Sequence, residues 1–299
     1  MINIAPYNQL LCLFALAFFL AISPEAQERV NAVSLTLKTE PGTIIWVDSL
    51  RYGVVGEAGE MTVNNLSIGS HTIHARLKGR REIAQGVKLR GEATQTIQLD
   101  LSKPADKAEM NFQSAEELRG VGKHAEAIDL YRRAIELRGG SYPVARVGLA
   151  RSLLSNEKYS DAVAEARKAL REKGGVYPEA HTVIGNIKRT QGLYDDALTS
   201  YHTALQQAHN FSPEAHTGIA MAYQDRNLSE EAIEHLQTAI AQANDTEPII
   251  YFLLGSTLER EYRNQEAVAA YEKYLKLQPN TTQASALRSV LKQLRREIR

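Results

Sequence analysis

From residue 33 to residue 101 apolar and polar positions alternate with a period of two. Val33, Leu35 and Leu37 alternate with polar neighbours, as do Ile73, Ala75 and Leu77, and then Ile97, Leu99 and Leu101. That period belongs to strands with one buried face. Pro41-Gly42, Gly53, Gly56, Gly59, Gly69, Gly79, Gly86 and Gly91 punctuate the runs. Residues 31–102 are therefore expected to form about six short strands in a small antiparallel β sandwich. Past Leu101-Ser102-Lys103-Pro104 the spacing of apolar residues changes to three and four, the helix period, and it continues to the last residues.

The helical pattern itself repeats. Ala127, Ala162, Ala197, Ala232 and Ala267 stand 35 residues apart, and Pro143, Pro178, Pro213 and Pro248 keep the same step. Counting units from residues 108, 143, 178, 213 and 248, the eighth place holds Ala115, Ala150, Gly185, Ala220 and Gly255. Four places after each fixed alanine come Tyr131, Ala166, Tyr201, Leu236 and Tyr271. Small residues at the eighth and twentieth places let two antiparallel helices approach closely, while larger apolar residues fill the groove around them. Each proline suits the first turn of a helix, where its missing N–H costs nothing. The expected units are 108–142, 143–177, 178–212, 213–247 and 248–280. A last helix over 281–299 carries Ala284, Leu287, Leu291, Leu294 and Ile298 on one stripe.

These recurring positions resemble the tetratricopeptide repeat, whose usual unit is about 34 residues. The resemblance implies an all-α solenoid after the β module, and a binding scaffold rather than an enzyme. Its concave face is lined by the second, fifth, ninth and twelfth places of each first helix. Here those places offer Phe112, Arg151, Asn186, Arg189, Met221, Gln224, Phe252, Ser256 and Glu259. The implied partner is a protein or peptide. The fourth place, often aromatic in the family, holds Arg146, His181, His216 and Tyr251, which predicts weaker packing of the middle first helices.

The β module resembles the PEGA domain of bacterial and archaeal envelope proteins. The likeness rests on Pro41-Gly42-Thr43 before Ile44-Ile45-Trp46-Val47-Asp48, on Gly53, and on Leu66-Ser67-Ile68-Gly69-Ser70-His71. Ser49 and Arg80 replace a glycine and an aromatic of the family pattern. The resemblance implies envelope or domain contact. A basic group, Arg76, Lys78, Arg80, Arg81, Lys88 and Arg90, has only Glu82 within it. Strand alternation puts Arg76 and Lys78 on the outward face beside Thr72 and His74. Such a face suits a cell-wall glycan or an anionic membrane surface, or is simply solvated and guards a sheet edge. No aromatic interleaves it, which argues against nucleic acid. His71 and His74, three apart on a strand, point to opposite faces and form no metal pair.

Composition narrows the function classes. The chain has 43% apolar and 23% charged residues and zero formal net charge, so no overall field draws an acidic polymer. A single cysteine, Cys12, excludes a disulfide within the chain and a thiolate metal cluster. Leu10 to Ile22 is an unbroken apolar run of 13 residues, short of the roughly 20 needed to span a membrane. With Ser23-Pro24-Glu25-Ala26 after it, the segment 1–26 reads as a signal peptide cleaved after Ala26, or as an uncleaved inner-membrane anchor. No phosphate-binding loop, metalloprotease helix or nucleophile elbow occurs, and no cofactor is expected. His181 and His216 occupy matching places in neighbouring units, where they either fill the inter-helix position or, as neighbours in the stack, hold a metal or phosphate. Asp195-Asp196 and Glu230-Glu231 begin second helices, where acids favour the helix dipole.

The expectation is thus an exported, periplasmic or envelope adaptor that is not an enzyme. A protein or peptide would lie in the concave groove while the β module makes envelope contact. The alternative is a glycan-binding protein acting through the β module. The closing helix, with Arg288, Lys292, Arg295, Arg296 and Arg299 on its other face, is a cap, a seam for a second copy or a membrane-surface helix.

Overall fold

The computed structural model describes residues 33–48, 50–91 and 94–298. The leader 1–26 with Cys12, and Arg299, lie outside the described residues. No described helix is long and apolar enough to cross a membrane.

The alternating segment forms β1 (Val33–Lys38), β2 (Ile44–Val47), β3 (Leu50–Val54), β4 (Glu60–Leu66), β5 (Gly69–Arg76), β6 (Ile83–Leu89) and β7 (Gln95–Gln98). They build two sheets, of order β4-β1-β7 and β3-β2-β5-β6. Leu35, Leu37, Ile45, Ile73 and Ala75 are fully buried between them, as a period of two requires. Pairing is antiparallel apart from β1–β7, which is parallel, Leu35 facing Gln95 and Leu37 facing Ile97. β7 reaches β1 by crossing from the other sheet, and only a tight hairpin forces antiparallel pairing. His71 is buried as the inward member of its pair. Its Nδ1 lies 2.5 Å from Asp48 Oδ2 and its Nε2 2.8 Å from the Ser67 carbonyl. Asp48, at φ 50°, also accepts the Thr72 amide at 2.8 Å, which fixes the β2–β3 turn.

Five helix pairs follow: α1 (Lys107–Gly120) with α2 (His124–Leu137), α3 (Pro143–Ser155) with α4 (Tyr159–Glu172), and α5 (Pro178–Thr190) with α6 (Tyr194–Gln207). Then come α7 (Pro213–Asp225) with α8 (Ser229–Ala243), α9 (Ile249–Arg260) with α10 (Asn264–Leu277), and finally α11 (Ala284–Glu297). Pro143, Pro178 and Pro213 open their helices at the first position, while Pro248 is the cap just before α9. Asp106 caps α1, its carboxylate accepting the Glu109 amide at 2.9 Å. All five fixed alanines are fully buried.

Turns keep the 35-residue step as well. The turn inside each pair has one left-handed residue: Gly122, Glu157, Gly192, Asn227 and Tyr262. The turn between pairs has two: Gly139-Gly140, Gly174-Gly175, His209-Asn210 and Asn244-Asp245. Glycine and asparagine adopt that conformation at small cost, which accounts for most of these choices.

The fourth places are filled rather than loose. Arg146 lies across α4, bonding Glu172 and, at 2.5 Å, Glu165. His181 meets Gln207, and His216 meets His235. Gln207 and Gln242 each clip the loop that opens their own pair, accepting the amides of Tyr177 and Ser212 and donating to the carbonyls of Gly175 and Asn210. Polar partners thus do the work expected of an aromatic ring. In α11, Ala284, Leu287, Leu291 and Leu294 are buried, the three leucines in the cluster of the last two pairs, whereas Ile298 is 43% exposed. The stripe caps the array; its apolar residues already have a partner within the chain.

Candidate partner-binding groove

First helices touch the first helix of the next pair, α1 with α3, α3 with α5 and α5 with α7. This places them on the inner, more tightly curved side of the stack. The nine residues expected there sit on these helices, and most already have partners. Arg151 reaches from the second pair to Glu214 of the fourth, at 2.7 Å. Arg189 pairs with Asp225 at 2.8 Å. Asn186 accepts the Tyr201 hydroxyl and Glu259 accepts that of Tyr271, both at 2.7 Å. Gln224 donates to the Thr257 hydroxyl, and Ser256 donates to the Leu253 carbonyl at 2.9 Å. Phe252 stacks against Tyr271 and Tyr274, with centroids 5.8 and 5.5 Å away. Met221 is half-buried. Phe112 is 1% exposed, packed against Tyr131 and Tyr142 of the array and against Arg76 of the β module.

The β module lies against the groove at both of its ends. At the α1 end, the Arg76 guanidinium is sandwiched between two rings, 4.9 Å from the Trp46 centroid and 4.6 Å from that of Phe112. Its Nε bonds Glu82 at 2.7 Å, and Glu116 of α1 stands 3.6 Å from it. The side chain of Gln113 reads backbone on both sides, accepting the Gly79 amide at 3.0 Å and donating to the Arg80 carbonyl at 2.8 Å. Glu109 accepts the Glu82 amide at 2.7 Å, and Lys78 pairs with Glu117 at 2.9 Å. At the far end, Leu50 joins the buried cluster of the fourth and fifth pairs. Tyr52 packs on both that cluster and the β core. Asn244 donates to the Asn64 carbonyl at 3.2 Å and accepts from Asn65 at 3.3 Å.

Electrostatics follow from this burial. Desolvation works to raise Glu116, but Arg119, the Tyr131 hydroxyl and Arg76 outweigh it and hold its carboxyl below the usual range. Glu82 is likewise held low against burial, by His74 and Arg76. Glu109 goes the other way: burial, chiefly, raises it despite the Glu82 amide and Arg138. Burial and then Asp48 push the Tyr52 phenol up to about 12. The α1 end of the groove is therefore an acidic, aromatic pocket that takes Arg76 beside the array's own Arg119 and Arg138.

This corrects the reading of the basic face. Arg76 does leave its sheet but is packed against α1, whereas Thr72 on the same face and Lys78 beyond it stay exposed, Lys78 paired with Glu117. Arg80 lies 3.5 Å from Glu40 and donates to the Ser102 carbonyl. Arg81, Lys88 and Arg90 remain exposed. His181 and His216 are not brought together as a pair, since each has its own partner. Among the described residues no group of three potential metal ligands occurs.

The tetratricopeptide repeat family model matches residues 112–177, 182–248 and 217–281, more than half the chain. The chain belongs to the tetratricopeptide repeat family. Among solved structures, the array is similar to TTC0263, a thermophilic TPR protein of Thermus thermophilus. That likeness has a TM-score of 0.54 and 20% identity, and covers 62% of this chain and 98% of that one. PilF of Pseudomonas aeruginosa is similar at a TM-score of 0.50 and 16% identity, over 63% of this chain and 84% of that one. At such identities the likeness speaks for the fold alone. No curated protein matches the chain.

Sequence reasoning about the tetratricopeptide array missed Gln113, Glu109, Trp46, Leu50 and Tyr52. Gln113 is at the sixth place, where the other units carry Gly148, Val183, Gly218 and Leu253. A polar residue among apolar and small ones was the available signal. Glu109, a carboxylate at the second place of the first unit, lies on the groove-lining positions and is 5% exposed.

Proposed function

We propose that this protein is a non-enzymatic adaptor whose tetratricopeptide groove holds a segment of a protein partner. Tetratricopeptide arrays are scaffolds for contact between proteins. The observation that carries the reading here is the seat on α1. Gln113 and Glu109 bond a backbone through its amides and a carbonyl, and Phe112 with Glu116 takes an arginine side chain. Backbone bonds with one side-chain pocket are the chemistry of peptide recognition. The apolar run of the leader and the PEGA resemblance support an exported, envelope-side location, with the β module as the part that meets the rest of the chain or the envelope. Crosslinking in the native envelope followed by mass spectrometry tests this. The expected result is a protein joined to residues of the first helices; products confined to the chain itself would remove the adaptor reading.

A glycan-binding role has less support. It rests on Arg81, Lys88 and Arg90, because Arg76 and Lys78 are engaged by α1. Retention of the full-length protein on cell-wall glycan, lost on neutralising those three residues, would favour it.

A further inference from the structure

We infer that residues 76–82 act as a built-in occupant of the groove, which an arginine-bearing segment of the partner must displace. The inference rests on the adaptor reading. The segment is held the way an external peptide would be. Two of its amides, Gly79 and Glu82, and one carbonyl, Arg80, bond side chains of α1. Its one deep side chain, Arg76, is 12% exposed and lies between Trp46 and Phe112. None of the three backbone groups is needed by the β5–β6 ladder, whose pairs end at Ala75 and Ile83. The segment is also tied to the linker before α1, Arg81 donating to the Lys103 carbonyl and Ala105 to that of Gly79, so the three bonds to α1 can exchange while the ladder and this tie remain.

The contact is anchored at two points far apart in sequence, the Arg76 seat and the Leu50–Tyr52 contact with the last two pairs. Both are small. Linking them in one chain raises the local concentration of the occupant, so the closed form persists without a tight contact. A competitor sees an affinity reduced by the fraction of open form. The partner that fits carries an arginine for the Phe112–Glu116 pocket, with a turn after it presenting an amide and a carbonyl to Gln113.

The probe is the peptide 74–84 closed into a hairpin by a disulfide through His74→Cys and Ala84→Cys, positions that face each other across β5 and β6. Its binding to the full-length chain is read by fluorescence anisotropy. Two release variants leave the groove intact: Arg76→Ala, and Leu50→Asp at the far contact. Each is expected to bind the hairpin at least about tenfold more tightly than the unaltered protein, as the open fraction rises. Adding Gln113→Ala to either is expected to cancel the gain. Equal affinity in the unaltered protein and both variants overturns the inference, and so does a gain that survives Gln113→Ala. Envelope crosslinking separates this from the adaptor reading. A partner captured equally by unaltered and released proteins leaves the adaptor standing and overturns the gate. Capture by neither removes the adaptor, while the hairpin titration still decides the gate.

Discussion

The ring of Tyr201 occupies the space that a side chain on Gly185 would need: a Cβ there would lie 2.5 Å from the ring's Cε1. The same ring closes off Gly218 of the next pair. Tyr131 does this to Gly148, and Tyr271 to Gly255. Where the place of the tyrosine holds Ala166 or Leu236, the next unit's sixth place carries Val183 or Leu253 instead of glycine. Knob and hole thus alternate along the stack, with a period of two repeats.

From this packing, Gly218→Ala is expected to destabilise the array by about 1–3 kcal/mol, the usual cost of overpacking a close-packed core. Chemical denaturation measures it. Combining Gly218→Ala with Tyr201→Leu should recover part of the loss, since the two share one volume. Purely additive costs would show that the ring and the glycine are not coupled.

Tyr262 is the one aromatic among the left-handed turn residues. Its φ is 57° and it is 89% exposed, so it bears backbone strain without burying its ring. Tyr262→Gly is expected to raise stability by about 1 kcal/mol, seen as a higher denaturation midpoint with unchanged slope.

The two modules are expected to respond to pH in opposite directions. The hydrogen bond to Asp48 raises His71 above its ordinary value against the opposing effect of burial, helped by the Ser67 carbonyl. A raised folded pKa means that this contribution is complete below about pH 6.5 and is lost as pH rises through the folded value. His216 is pushed down to about 4, first by burial and then by His235. Its contribution is complete above about pH 6.5 and is lost as pH falls toward 4. Hydrogen exchange corrected for intrinsic rates, at pH 5.5 and 7.5, should show β5 better protected at the lower pH and α7 at the higher. His71→Gln should flatten the first response only.

Arg146, 11% exposed, neutralises Glu165 and Glu172 inside the second pair. Arg146→Ala is expected to cost about 3 kcal/mol, because Glu172 stays partly buried without its partner and Glu165 keeps only Lys168. Thermal unfolding would show it, with recovery when Glu165→Gln and Glu172→Gln are added.

What could be read from the sequence was what local spacing controls. Ala127 and its equivalents are buried because a helix pair can close only over a small residue, and that requirement repeats every 35 positions. The strand alternation of Leu35 and Leu37, or of Ile73 and Ala75, is legible for the same reason. Arg76 was not, because alternation says only that it leaves its own sheet. That Phe112 waits on the other side depends on two modules meeting across a long stretch of chain. Left-handed turns were visible at Gly139-Gly140 and invisible at His209-Asn210, where the fold imposes the same conformation on residues that tolerate it less well. Phe112, Asn186 and Glu259 sit on the first helices. Their engagement with Arg76, Tyr201 and Tyr271 required knowing which neighbours reach them.

The central claim is that the inner face of the array meets a protein. The most direct measurement places a photo-crosslinking residue at Met221, half-buried on α7, in the full-length protein in the cells that make it. The account predicts a discrete product with another protein, absent when the same residue replaces Lys123 on the turn between α1 and α2. Products limited to the chain itself, or the same products from both positions, would contradict it.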